Sequence, residues 1–530
     1  MIRPIAIIFL LICLLLVPGC GGVNNDIAPN YKLGDGPDGE DTIIDVPAVD
    51  GDGKLEEIVA EPSLEPAAPS PKGEREGQSL GIEKTGEVLS LGPFSGILPQ
   101  VEWSPLGESL AISGYSDGFG IWLFDLKEEK AWRALRVPTQ ETLDYVNLQL
   151  LGWSPGGKEL YYSIDGLQTT GSYLGLSGTL VGQIGAAEGE MKELAWFPAR
   201  GRGDMTQLKL TGKGDLLVHQ HGDIWRLDLA SGRKKLVVGG IPQGNSPFKV
   251  FFSPTGRYGV YQDTDSTGNG LILIDTKTGK SSPIISDENY HFFPLWGPTD
   301  EKLAFLTGVK LEDGYDLFVG EDGALPPATL IQVFDLKNKT LTPYRVPDGQ
   351  VGAPMWSPDG KYLTFFSAKW EKVLNPYGPD FRWEGLWELE AESGKLQLLS
   401  PVQGEWFSLA DWSPDGDEVY IYRYEADGSS SLQVVDRRKR RIKHTIQEAI
   451  DEPILWYKGN LIIGRVLEEP RKGELYTEIY LVDQGGRTSQ LTNNGGWKNG
   501  FQTWADRLSY VRGDATASSY LLYVELVSLP

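Results

Sequence analysis

Four histidines are present, His219, His221, His291 and His444, and two of them have a chelating spacing. His219 and His221 stand two apart in a strand-like run, which would place both rings on one face and let them share a divalent metal. No third ligand is identifiable, and packed or hairpin-edge positions are the competing expectation. The stretch 263–269 (DTDSTGN) alternates oxygen side chains and has Gly at its sixth position. That is how a Ca2+ loop opens, with Asp263 and Asp265 as its first ligands. Position twelve, where a bidentate Glu would close the loop, is Ile274, so an exposed hairpin tip is the alternative. Two G-x-S-x-G strings surround Ser79 and Ser116, but a nucleophile elbow needs a strand before it and a helix after it, and neither context is present. No complete catalytic motif is found, and no cofactor is expected beyond a weakly held Ca2+ or other divalent metal.

Cysteine chemistry is confined to the start of the chain, where Cys13 and Cys20 are the only two thiols. Ile5 to Val17 is apolar but short for a bilayer span, as in a signal peptide. It runs into Val17-Pro18-Gly19-Cys20, which resembles a bacterial lipobox, with Pro18 departing from the usual small residue. The resemblance implies that residues 1–19 are a lipoprotein signal peptide and that Cys20 carries fatty acyl chains such as palmitate. The protein would then be held on a membrane of the cell envelope, outside the cytoplasm, on the outer face of the inner membrane or in the periplasm. Residues 20–84 are acidic and rich in Pro and Gly, and they bury too little to offset chain entropy; a disordered tether is expected.

The remaining residues must build a scaffold without disulfides. Gly 65 and Pro 34 in 530 residues favour many turns and short strands over helices. A formal charge of −24 excludes general nucleic-acid binding.

The scaffold is set by a repeat. Its best copies begin at Trp356 (WSPDGKYLTF) and Trp412 (WSPDGDEVYI), with others at Trp103, Trp153, Phe252 and Trp296. Pro, Asp and Gly supply the successive backbone geometries of a tight turn, and the alternating apolar residues after it describe a strand. A second pattern follows downstream, an aromatic-aliphatic strand ending in Asp before a Gly or Lys turn, as in 121–126 (IWLFDL) and 271–279 (LILIDTKTG). Four short antiparallel strands per repeat predict an all-β fold, a single β-propeller over residues 85–530. Inner-strand signals near Trp103, Trp153, Leu210, Phe252, Trp296, Trp356, Trp412, Trp456 and Trp504 number nine, but those at Leu210, Trp456 and Trp504 lack the Ser-Pro-Asp-Gly turn. Eight blades are therefore favoured, with nine open. The N-terminal strand near 86–91 is expected to complete the C-terminal blade and close the ring.

The WSPDGK repeat is similar to that of TolB-like, WD40-like propellers and of the propeller domain of prolyl oligopeptidase and dipeptidyl peptidase enzymes, here without a hydrolase domain.

In such blades the turns joining strands one to two and three to four share one rim. The connections two to three and four to one share the other. The long insertions, 165–177, 309–327, 368–384 and 468–475, all belong to the second rim, where loops on a rigid scaffold bind ligands. Trp370, Tyr377, Phe381 and Trp383 fall in one insertion, Tyr290, His291 and Phe292 in an interblade loop, and Trp406 and Trp497 in later ones. Such aromatics are binding anchors or a hydrophobic cap. The one basic run, 437–441 (RRKRR), would meet anionic headgroups or wall polymers, or be a solvated turn. The functional expectation is a non-catalytic binding scaffold for a protein, peptide or glycan partner of the envelope. A glycan hydrolase or lyase with a central-funnel site, and an accessory subunit of an envelope peptidase complex, are the alternatives.

Overall fold

The computed structural model describes residues 80–85, 88–95, 98–137, 145–167, 178–187, 189–199, 206–241, 250–265, 268–308, 328–346, 350–352, 354–371, 380–404, 406–425, 429–449, 454–468, 475–515 and 520–530. Cys20, the lipobox and almost all of the expected tether lie outside these residues. Among the described residues no helix is long and apolar enough to cross a membrane.

The strands form nine antiparallel sheets, the blades of one propeller. Blade 1 shows the pattern, with strands Gln100–Trp103, Ser109–Tyr115, Phe119–Asp125 and Lys130–Arg136 pairing in chain order. Blades 2 to 8 follow at 145–198, 207–238, 251–287, 290–345, 350–404, 406–447 and 455–490. The expectation of eight blades is thus corrected to nine. All nine inner-strand signals end or lie in first strands, and the doubtful three differ only in turn chemistry. After Trp456, for example, Lys458 and Gly459 both take positive φ, 48° and 77°, in a tight two-residue hairpin that needs no Pro.

The two repeat motifs have simple local causes. In the first turn the buried hydroxyls of Ser104, Ser154, Ser253, Ser357 and Ser413 each accept the backbone N–H five residues on, at 2.9–3.1 Å. In the turn between the third and fourth strands, Asp125, Asp228, Asp275, Asp335, Asp436 and Asp483 turn their carboxylates back onto the N–H groups of their own turn. The terminal Asp of the second motif is therefore a turn cap.

Trp at the end of a first strand ties its blade to the one before. The Nε1–H of Trp153 donates to the Glu102 carbonyl, Trp296 to Phe251 and Trp356 to Leu295, at 2.8–3.2 Å. Glutamines make the forward tie. Gln100 exchanges two hydrogen bonds with the backbone of Leu150, and Gln207 does the same with Val250. Between neighbouring blades lie nine apolar clusters, one for each interface of a closed nine-membered ring.

Closure follows the expected route. Blade 9 takes Trp497–Trp504, Arg507–Ala515 and Tyr520–Ser528 from the C-terminus and Val88–Ser95 from the N-terminus, with Leu91 opposite Val524. Phe94, fully buried, meets Trp122 of blade 1 edge-on at 5.3 Å. A further strand, Gly81–Thr85, adds an exposed outer edge to this sheet.

Candidate functional site: the insertion-bearing rim

The strand order puts the four long insertions between the second and third strands of blades 2, 5, 6 and 8, all on one rim. Most of their residues, Tyr377 among them, lie outside the described set. In blade 6 the flanking strands, Tyr362–Glu371 and Asp380–Glu390, are long, and their register sets Trp370 opposite Phe381 and Trp383 opposite Ala368. Trp383 is half-buried; its ring lies 5.6 Å from that of Phe366 and passes over Gly352, where a Cβ would come within 3.0 Å. It packs blade 6 against blade 7.

The other expected aromatics divide by burial. Phe292 is buried and Tyr290 half-buried against the core between blades 5 and 6, while His291 is buried on the side facing blade 4, so this group seals blade interfaces. Trp406 opens the first strand of blade 7 opposite Tyr424. Trp497 opens that of blade 9 directly after Gly495 and Gly496, both at positive φ, and it is 39% exposed. Among the expected aromatics whose burial is described, Trp497 is the most exposed.

The two candidate metal spacings sit in different backbone settings. His219 ends a strand, Asp215–Gln220, but His221 is the first residue of the following turn, with φ of 54° beside Gly222 at 78°. The two rings therefore do not share a strand face, and left-handed backbone geometry accounts for a polar residue at 221. His219 is 4% exposed with Nε2 unpartnered, and burial lowers its pKa to about 4. Asp263 and Asp265 belong to a hairpin in which Asp263 pairs with Gly270 and Asp265 with Gly268. Among the described residues no group of three or more potential ligands is placed to hold a metal.

Sequence reasoning missed a set of polar side chains packed at strand ends along this same rim. Between blades 2 and 3, Thr179 donates to Asp165 and lies 2.7 Å from the Thr206 hydroxyl, to which Gln220 also donates. Burial raises the pKa of Asp165 against the opposing effect of Thr179 and Asn147. Between blades 4 and 5, His291 Nε2 lies 3.0 Å from Asp287 and Nδ1 2.9 Å from the Thr307 hydroxyl. This acid–imidazole–hydroxyl order has the parts of a nucleophilic relay. However, Thr307 is 1% exposed, so the hydroxyl meets no substrate and the chain clamps an interblade connection. Between blades 8 and 9, Lys498 Nζ lies 3.1 Å from Glu478 and donates to the Thr477 and Gly495 carbonyls. Beside it Glu525 is held by Ser90, Asn494 and Arg512. Their signal in the sequence is faint, a polar residue breaking the apolar alternation near the end of a strand. The partner in each case comes from elsewhere in the chain.

The rim is thus a set of side-chain clamps that fix the bases of long loops. It offers a polar, loop-rich surface on which Asp165, Asp287, Glu478 and Glu525 are each engaged by neighbouring side chains.

No family model matches the chain. An uncharacterized protein of Agrobacterium fabrum is 20% identical over 215 residues, 40% of this chain and 63% of that relative, so the match spans less than two thirds of the relative's length. Among solved structures, TolB from Acinetobacter baumannii is 12% identical with a TM-score of 0.28, over 62% of this chain and 79% of TolB. A prolyl endopeptidase is 11% identical with a TM-score of 0.38, over 74% of this chain and 55% of the peptidase. These are likenesses of a chain whose own strand order makes it a nine-bladed β-propeller.

Proposed function

We propose that the protein is a lipid-anchored, extracytoplasmic binding propeller that offers its insertion-bearing rim to a protein, peptide or glycan partner in the cell envelope. The supporting observation is the asymmetry of the ring. One rim consists of short turns closed on themselves by Ser and Asp, whereas the other carries all four long insertions, those of blades 2, 5 and 8 beside side-chain clamps. Rigid scaffolds that concentrate loop length on one face bind there. The lipobox-like Cys20 supports anchoring, and the length of residues 20–84 gives the propeller reach from a membrane.

The test is site-specific photocrosslinking in cells, with the probe at Trp497 or Glu384 on one rim and at Lys277 or Lys458 on the other. Discrete adducts from the first pair only are expected. Absence of any adduct, together with turnover of a polysaccharide by the purified protein, would replace binding with catalysis.

A further inference from the structure

The rim of short turns carries a charge pattern that binding at the other rim does not use. In the turns between third and fourth strands of blades 3 to 7, the exposed charged side chains are almost all cationic, although the whole chain carries −24. The capping acids Asp228, Asp275, Asp335 and Asp436 face their own backbone N–H groups, which leaves Glu392 as the one fully outward acid. Lys235, Lys277, Lys337, Lys339, Lys395 and Arg441 are exposed and make no ion pair among the described residues. On the inner turns of this rim the acids are largely engaged, Asp300 with Thr255, Asp359 with Lys361 and Asp417 with Arg438. Cations therefore form an arc over five consecutive blades, at the outer part of a face with no long loops.

Exposed aliphatic side chains interleave with this arc. Leu236, Leu398 and Ile442 are 44%, 38% and 39% exposed, and each stands within the first three residues of a fourth strand, beside these turns. Cations alone suit any polyanion, whereas cations with exposed aliphatic groups suit an interface that has both anionic heads and an apolar layer. At physiological salt fields decay over about 8–10 Å, so a surface against this rim meets the local arc and not the net charge.

We propose that this arc docks the short-turn rim onto the anionic headgroups of a lipid bilayer, so that the insertion-bearing rim faces away from it. The proposal extends the anchoring reading, and the experiment separates the two. The full-length acylated protein is partitioned between buffer and vesicles of neutral phosphatidylcholine, or of phosphatidylcholine with about a third phosphatidylglycerol. Binding to neutral vesicles reports the acyl anchor, and the ratio of the two partition coefficients reports the arc. A ratio well above one is expected, lost at high salt. At about fivefold per charge, Lys277→Gln/Lys337→Gln/Lys339→Gln/Arg441→Gln should lower it at least about a hundredfold or to unity, with neutral-vesicle binding unchanged. Arg136→Gln/Arg345→Gln, on the opposite rim, should leave it intact. Leu398→Gln/Ile442→Gln should lower it further than it lowers binding to soluble polyglutamate. A wild-type ratio near one, or equal losses from both rims, would overturn the proposal. Polyglutamate that displaces the protein fully at matched charge would assign the arc to a polyanion instead.

Discussion

Lys498 of blade 9 and Glu478 of blade 8 form an ion pair at 3.1 Å with both side chains sealed from solvent, 0% and 1% exposed. Thr492 and the Gly495 N–H satisfy the rest of the carboxylate, and two carbonyls take the remaining ammonium protons. A pair so buried is costly to halve. Glu478→Gln or Lys498→Met alone should destabilise the protein by about 3–5 kcal/mol, while Glu478→Leu/Lys498→Met together should cost less than the sum. Urea denaturation of the four proteins, read as midpoints at constant slope, measures this cycle.

The ring closure is as sensitive as the core. Phe94→Ala should cost about 3–5 kcal/mol, because it empties a fully buried site against Trp122. Gly114→Ala should also destabilise, since its Cβ would fall 2.8 Å from the Phe94 ring. Recovery of the second variant by pairing it with a smaller residue at 94 would show that the clash is the cause. Thermal unfolding of single and double variants is the measurement.

Acid should weaken the fold in two distinct windows. His219 is held neutral, its pKa lowered by burial from 6.5 to about 4, so its contribution is complete above pH 6.5 and is lost as pH falls toward 4. That loss amounts to roughly 3 kcal/mol by linkage, and His219→Leu should abolish it. Asp275 behaves separately. Burial acts to raise it, but Arg257 and its own turn N–H groups prevail and bring it from 3.8 to about 2. Its contribution is present above pH 3.8 and is lost between there and about 2; Asp275→Asn should remove that lower step. Stability against pH, by denaturant melts, resolves the two.

Two tryptophans of the insertion-bearing rim should respond differently. Trp383→Ala should lower stability by about 3–5 kcal/mol, because its ring fills the space between Phe366 and Gly352. Trp497→Ala should leave the melting temperature nearly unchanged and weaken partner capture. Parallel melting and pull-down measurements distinguish packing from contact.

Cys20→Ala should release the protein from the membrane fraction in cells and eliminate incorporation of labelled palmitate. Membrane retention of the unsubstituted protein without any label would reassign residues 1–19 to an uncleaved anchor.

The fold was legible because each blade repeats the same turn chemistry. Ser357 and Asp275 do in their blades what Ser104 and Asp125 do in blade 1. The ninth blade was doubtful because the turns after Leu210, Trp456 and Trp504 make the same reversal without Ser-Pro, through Gly214, Lys458 with Gly459, and Ala505 at positive φ. The site was less legible, since burial is a property of partners. Nothing local to Tyr290-His291-Phe292 shows that Thr307 and Asp287 draw the imidazole inward. The paired spacing of His219 and His221 likewise conceals that a turn begins between them.

Leu91 and Val524 face each other across the closing sheet from opposite ends of the chain. Synthesis proceeds in one direction, so blade 1 must wait with one flank uncovered until blade 9 has been made. During that interval Leu110, Ile112 and Trp122 have no lid, and the strand 88–95 has no edge to join. Non-local pairing of this kind slows folding and lengthens exposure to aggregation. The pairing of Leu91 with Val524 thus makes closure of the ring a late, non-local event in folding.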